Sequence, residues 1–151
     1  MKSIGVDLKK GAILLCCLEG TFENPVLVEK CKRIINPETP LPEYMDKFES
    51  EFNAFINKHS PDRIGYRLVI PDTKEKVHTL SFPYGILNLI AKKTGIQIRE
   101  FVHQNFVATK FGLSKGLDLY EHCDAVFGST PPSRNKAQKN AILSAWLSMK
   151  D

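Results

Sequence analysis

Ser3-Ile4-Gly5-Val6-Asp7, then Leu8-Lys9-Lys10-Gly11, then Ala12-Ile13-Leu14-Leu15-Cys16-Cys17-Leu18: this stretch decides the fold. Residues 3–7 read as a short apolar strand that ends on a carboxylate. Leu8-Lys9-Lys10 is a tight polar connection, and Gly11 permits a close turn into a second strand, residues 11–19. The second strand is nearly continuous in apolar character, so both of its faces are expected to be covered, as in a central strand. Residues 25–35 give a third strand. Lys30, Lys32 and Arg33 make its far half basic, which suits an edge, where charge discourages pairing with other chains.

Beyond the third strand the pattern alternates. Residues 36–42 carry prolines at 37, 40 and 42 and form a loop. Residues 43–59 place Met45, Phe48, Phe52, Phe55 and Ile56 at helical spacing. Pro42 precedes that helix, and Glu43 and Asp46 favour its N-terminus. Residues 63–70 read as a fourth strand, stopped by Pro71. Residues 73–81 are polar and read as a loop or a short hairpin arm. Residues 83–94 read as a second helix, with Gly95 as its C-cap. Residues 96–102 give a fifth strand, and 105–111 a short helix ended by Gly112. Residues 114–132 are rich in Gly, Asp and Pro and read as a functional or mobile loop. Residues 133–149 read as the last helix, with Ser133 as N-cap and a stripe of Ala137, Ala141, Ile142, Ala145 and Trp146.

The chain has 151 residues, enough for one sizeable core. Its 42% hydrophobic and 25% charged content is that of an ordinary globular protein. No repeat, low-complexity tract or linker divides it, so one domain spanning 1–151 is expected. No apolar run approaches the roughly 20 residues of a membrane span. Met1-Lys2-Ser3 leads directly into a strand without an apolar leader, so a cytoplasmic location is expected. The four cysteines, at 16, 17, 31 and 123, form no C-x-x-C pair and read as buried reduced thiols. His122-Cys123 has no other Cys or His near it in sequence to complete a zinc site. The net charge of +4 permits a nucleic-acid surface without requiring one.

With the elements in place, the chain resembles the ribonuclease H-like superfamily, and within it the RuvC branch. Three sequential strands followed by alternating helices and strands is the order those nucleases use. Ile4-Gly5-Val6-Asp7-Leu8-Lys9 matches the opening motif. Asn105-Phe106-Val107-Ala108-Thr109-Lys110-Phe111-Gly112 is similar to the lysine-bearing short helix after the last strand. Lys139-Asn140-Ala141-Ile142-Leu143-Ser144-Ala145 is similar to the closing Asp-Ala-x-x-x-Ala helix. The chain also resembles a small bacterial family of RuvC-like proteins of unknown function that opens with Gly-Val-acid-Leu-Lys.

The resemblance implies an α/β fold with a five-stranded mixed sheet: three antiparallel strands, then two strands parallel to the first, joined by helical crossovers. It also implies a site. RuvC-like nucleases hold two Mg²⁺ with carboxylates from the first strand, the fourth strand and the last helix. Asp7 matches the first-strand acid and is the candidate catalytic and metal-binding residue; the alternative is a turn acid accepting backbone N–H bonds. Where the family has Glu at the end of the fourth strand, this chain reads Gly65-Tyr66-Arg67-Leu68-Val69-Ile70, with no acid before Asp72. The family's Asp in the last helix falls at Asn140. An Arg67 beside the metal position would repel Mg²⁺.

Three functions follow from that comparison. The first is a RuvC-like domain with a degenerate metal site, binding DNA or RNA or a protein partner without nuclease activity. The second is an active structure-specific endonuclease of Holliday-junction resolvase type. It would use Mg²⁺ or Mn²⁺ held by Asp7 together with Asp118, Glu121 and Asp124, or with Asp72 or Glu100. The third is an interaction subunit with an exposed apolar patch. By analogy with dimeric resolvases, a homodimer is an expected assembly. Lys110, Lys115, Arg134, Lys136 and Lys139 are the candidate phosphate contacts; the alternative is a solvated helix face. Phe82, Tyr84 and Phe101 are read as core first and as base-stacking groups second, and Trp146 as core.

Overall fold

The computed structural model describes residues 1–129 and 135–151. Its five strands form one mixed sheet in the order β3-β2-β1-β4-β5. β1 (Lys2–Lys9) and β2 (Ala12–Gly20) run antiparallel, as do β2 and β3 (Pro25–Ile34). β4 (Arg63–Arg67) lies parallel to β1, and β5 (Gln97–Phe101) parallel to β4. This is the expected α/β architecture. β2 is buried from Ala12 to Leu18, and β3 is an edge strand with a bulge opposite Cys17 and Leu18.

Side chains alternate across the sheet and divide the core in two. Ile4, Val6, Leu8, Ile13, Leu15 and Cys17 meet Phe48, Phe52 and Phe55 of α1 (Leu41–His59) and Leu87 and Ile90 of α3 (Phe82–Thr94). Leu14, Cys16 and Leu18 face the other way, toward α4 (Leu119–Phe127) and α5 (Lys136–Ser148). The adjacent cysteines thus point to opposite faces. Tyr84, Phe101 and Trp146 are buried in these cores, whereas Phe82 is exposed. Among the described residues, no helix is long and apolar enough to cross a membrane.

Two glycines set the position of α5. Gly5 and Gly65 are paired across the β1–β4 ladder. A Cβ at Gly5 would lie 1.8 Å from the Ala141 carbonyl oxygen, and one at Gly65 would lie 2.2 Å from that of Ser144. The helix therefore rests directly on sheet backbone, through a row of small residues: Ala141, Ser144, Ala145 and Ser148. Ser3 Oγ donates to the Ala145 carbonyl at 2.8 Å. At the helix end, Arg63 Nη1 donates to the carbonyls of Ser148 and Lys150 at 3.0 and 3.1 Å, where a cation also suits the helix dipole. Covered on its far side as well, α5 is buried at every position from Asn140 to Ser148 rather than along a stripe.

Several boundaries differ from the sequence expectations. β1 runs on through Leu8 and Lys9, part of the expected connection, and α1 starts at Leu41, with Pro42 in its first turn rather than before it. The fourth strand ends at Arg67 instead of continuing to residue 70: the Leu68 N–H still reaches the Phe101 carbonyl at 2.8 Å, but Val69 and Ile70 leave the sheet for solvent. Residues 73–81 are helical. Thr73 caps a single turn, α2 (Lys74–Lys76), by accepting from the Lys76 N–H, and a π-helical turn (Val77–Ser81) runs on into α3. Residues 105–111 are not one helix but belong to two 3-10 turns, His103–Asn105 and Ala108–Phe111, the second ended by Gly112 at φ 73°. Within the expected loop at 114–132, Asp118 nucleates α4 by accepting from the N–H groups of Tyr120 and Glu121. α5 starts at Lys136 with Asn135 as its cap, accepting from the Gln138 N–H at 2.7 Å; the expected cap, Ser133, lies outside the described residues.

Candidate functional site

Asp7 and Arg67 are the residues just beyond the paired Val6 and Tyr66, so both stand where the parallel β1–β4 ladder ends, on the face that α5 covers. The close approach of α5 at Gly5 brings Asn140 against the same point. Arg67 Nε and Nη2 donate to Asp7 Oδ1 and Oδ2 at 3.3 and 3.5 Å, and Asn140 Nδ2 donates to Oδ2 at 3.4 Å. Tyr120 Oη in turn donates to Asn140 Oδ1 at 2.6 Å. Three elements and a helix from the 114–132 segment thus converge on one carboxylate.

The electrostatics are unusual for a paired acid. The Asp7 side chain is 2% exposed and that of Arg67 is 18% exposed. The three bonds to Asp7 are longer than the roughly 2.7–2.9 Å of a strong charge-assisted bond. Burial therefore dominates and pushes the Asp7 carboxyl up from 3.8 to about 6, against the opposing pull of Arg67, Asn140 and the Leu8 N–H. An acid held near 6 changes charge close to neutrality, a property that gathers at functional sites.

Two-metal chemistry needs several hard oxygen ligands around two ions about 3.5–4 Å apart. The groups facing Asp7 are a guanidinium and an amide whose nitrogen is turned toward the carboxylate, and this donor set does not fit such a centre. The other candidate acids are engaged elsewhere. Asp118 caps α4, Glu121 is exposed, and Asp124 holds Lys139. Asp72 pairs with Lys76, and Glu100 accepts from Tyr66 Oη on the opposite face of the sheet. Among the described residues, no group of three or more His, Cys, Asp or Glu gathers where it could hold a metal.

The candidate basic residues divide similarly. Lys110 and Lys115 are exposed, and so is Lys136, whose Nζ lies 5.0 Å from the centre of the Tyr120 ring. Lys139 is mostly buried in its pair with Asp124, so its charge is already neutralised. Arg134 lies outside the described residues. Tyr120 is the residue sequence reading missed. Its signal was Asp118-x-x-Glu121, a helix-capping pattern that would have turned a presumed loop into a helix bearing Tyr120 in its first turn.

No protein-family model and no curated protein matches the sequence. Solved structures do match. The chain is similar to Thermus thermophilus RuvC in complex with a Holliday junction substrate, with a TM-score of 0.78 over 97% of this chain and 91% of that one, at 12% identity. A second Thermus thermophilus RuvC structure gives 0.74 at 14% identity, over 97% and 92% of the two chains. The fowlpox virus Holliday junction resolvase gives 0.56 at 10% identity, over 98% and 94%. The chain thus has the ribonuclease H-like fold. Within that class its arrangement is RuvC-like, from the first strand to the closing helix.

Proposed function

We propose that this protein is a RuvC-like domain that binds branched nucleic acid and does not cleave it by two-metal chemistry. The observation that carries the proposal is the Arg67 guanidinium set against Asp7, where a metal-binding site would need a second carboxylate. A fixed cation there disfavours Mg²⁺ by direct repulsion and satisfies Asp7 internally. The exposed lysines at 110, 115 and 136 supply phosphate contacts, which give salt-dependent affinity. The RuvC of Thermus thermophilus is seen on a Holliday junction, so a four-way DNA junction is the first ligand to try.

The test is anisotropy binding to a four-way junction and to plain duplex, with a cleavage assay on the same samples with and without Mg²⁺ or Mn²⁺. The expected result is junction binding that needs no metal, with no strand cleavage. Metal-dependent cleavage that disappears in Asp7→Ala would overturn the proposal in favour of an active endonuclease. Restoring acids with the double variant Arg67→Glu, Asn140→Asp should create calorimetric Mg²⁺ binding that the wild type lacks.

A further inference from the structure

An open cavity of about 550 Å³ lies beside the Asp7 cluster and shares Tyr120 with it. Val107, Ala108 and Leu117 are among its apolar walls, and Thr109, Lys115 and Tyr120 are its polar side chains. Val107 and Leu117 are 44% and 40% exposed, so apolar surface is left open to water at the edge of a basic region. The Tyr120 hydroxyl is tied to Asn140, which fixes the ring in place as part of the wall. Lys136, whose Nζ lies over the same ring, does not line the cavity.

We propose that this cavity receives one unstacked nucleobase, with Lys115 taking an adjoining phosphate; the inference rests on the nucleic-acid reading given above. Apolar walls that include an anchored aromatic ring suit a base, whose π-face stacks without regard to sequence. The charge also favours that occupant. A nucleotide brings its anion next to its ring, and the cavity is lined by both a lysine and an aromatic side chain. An apolar side chain from a protein would leave Lys115 without a counterpart. Branched nucleic acid offers such a base, because stacking is interrupted at the branch point.

The experiment uses a four-way junction carrying 2-aminopurine at the branch point, titrated with the full chain. The wild type should change 2-aminopurine fluorescence on binding. Val107→Glu and Leu117→Glu, both at exposed positions, should remove that change. Each should weaken junction binding about tenfold more than it weakens duplex binding, the size of one lost stacking contact. Lys115→Ala should lower junction affinity and reduce the log-affinity against log-salt slope by about one. Thermal melts confirm that each variant is folded. A fluorescence change that survives both glutamate variants overturns the proposal. So does a loss of self-association in those variants with the fluorescence change intact, which makes the cavity a contact between copies. Junction binding with no fluorescence change in the wild type overturns the base pocket alone, whereas no binding to any nucleic acid overturns the parent reading as well.

Discussion

Asp7 opposes folding at neutral pH, and Asp7→Asn should show by how much. Its carboxyl stands at about 6 in the folded protein against 3.8 when unperturbed. The folded state therefore holds the proton more tightly than the unfolded state does. Stability from this group is fully present below about pH 4 and is lost as pH rises through 6. The difference of about 2 units, at roughly 1.36 kcal/mol each, amounts to about 3 kcal/mol by pH 7.5. Asparagine has the shape of the protonated acid and does not ionise. Wild type and variant should therefore match near pH 4, and the variant should be more stable by about 3 kcal/mol at pH 7.5. That is a rise in Tm of roughly 6–12 °C for a chain of this size. Arg67 does not disturb the comparison, because it also lacks an anionic partner in the wild type at pH 4. The assay is urea unfolding of both proteins at half-unit steps from pH 4 to 8; the difference curve cancels every other carboxylate. If the wild type proves more stable than the variant at pH 7.5, the Arg67 pair outweighs burial and the reasoning fails.

Three further outcomes follow from the same structure. Arg67→Met removes the cation bonded to Asp7; the carboxyl should move above 6 by NMR titration, and stability at pH 7.5 should fall by about 2–3 kcal/mol, discounted because Arg67 is partly exposed. Gly65→Ala would drive a Cβ into the Ser144 carbonyl and should cost about 3 kcal/mol or more, while Gly85→Ala in α3, with open space around it, should stabilise by about 0.5–1 kcal/mol in the same melts. Native-state thiol labelling should modify half-buried Cys31 before the buried Cys16, Cys17 and Cys123, and equal rates at all four would contradict the packing.

Much of the fold was legible because strand burial writes itself into composition. The apolar run 12–18 announced a strand covered on both faces, and the lysines of β3 announced an edge. The errors fall where backbone bonding rather than side-chain pattern decides. Val69 and Ile70 are good strand residues, yet they lie past the last ladder bond and face solvent. Residues 73–81 lack an apolar stripe, yet a cap at Thr73 and the run into α3 hold them helical. The two tripeptides Ile4-Gly5-Val6 and Ile64-Gly65-Tyr66 carried a message that no single-element reading takes in. Their glycines align across two strands and clear a path for a helix some 80 to 140 residues away.

The candidate site was legible one residue at a time but not as an arrangement. Asp7, Arg67 and Asn140 could each be placed from motif positions, and their chemistry already argued against a metal. Which partner each would choose could not be read, since it depends on how deeply Asp7 is buried. Had Asp7 been solvated, Arg67 would have been a surface pair worth under about 1 kcal/mol, and the carboxyl would have titrated as an ordinary aspartate. Burial under α5 converts the same three residues into a constrained cluster that is costly when ionised and that recruits a tyrosine from a segment read as loop. An acid that is costly when ionised thus stands next to an open cavity, joined to its wall through Asn140 and Tyr120.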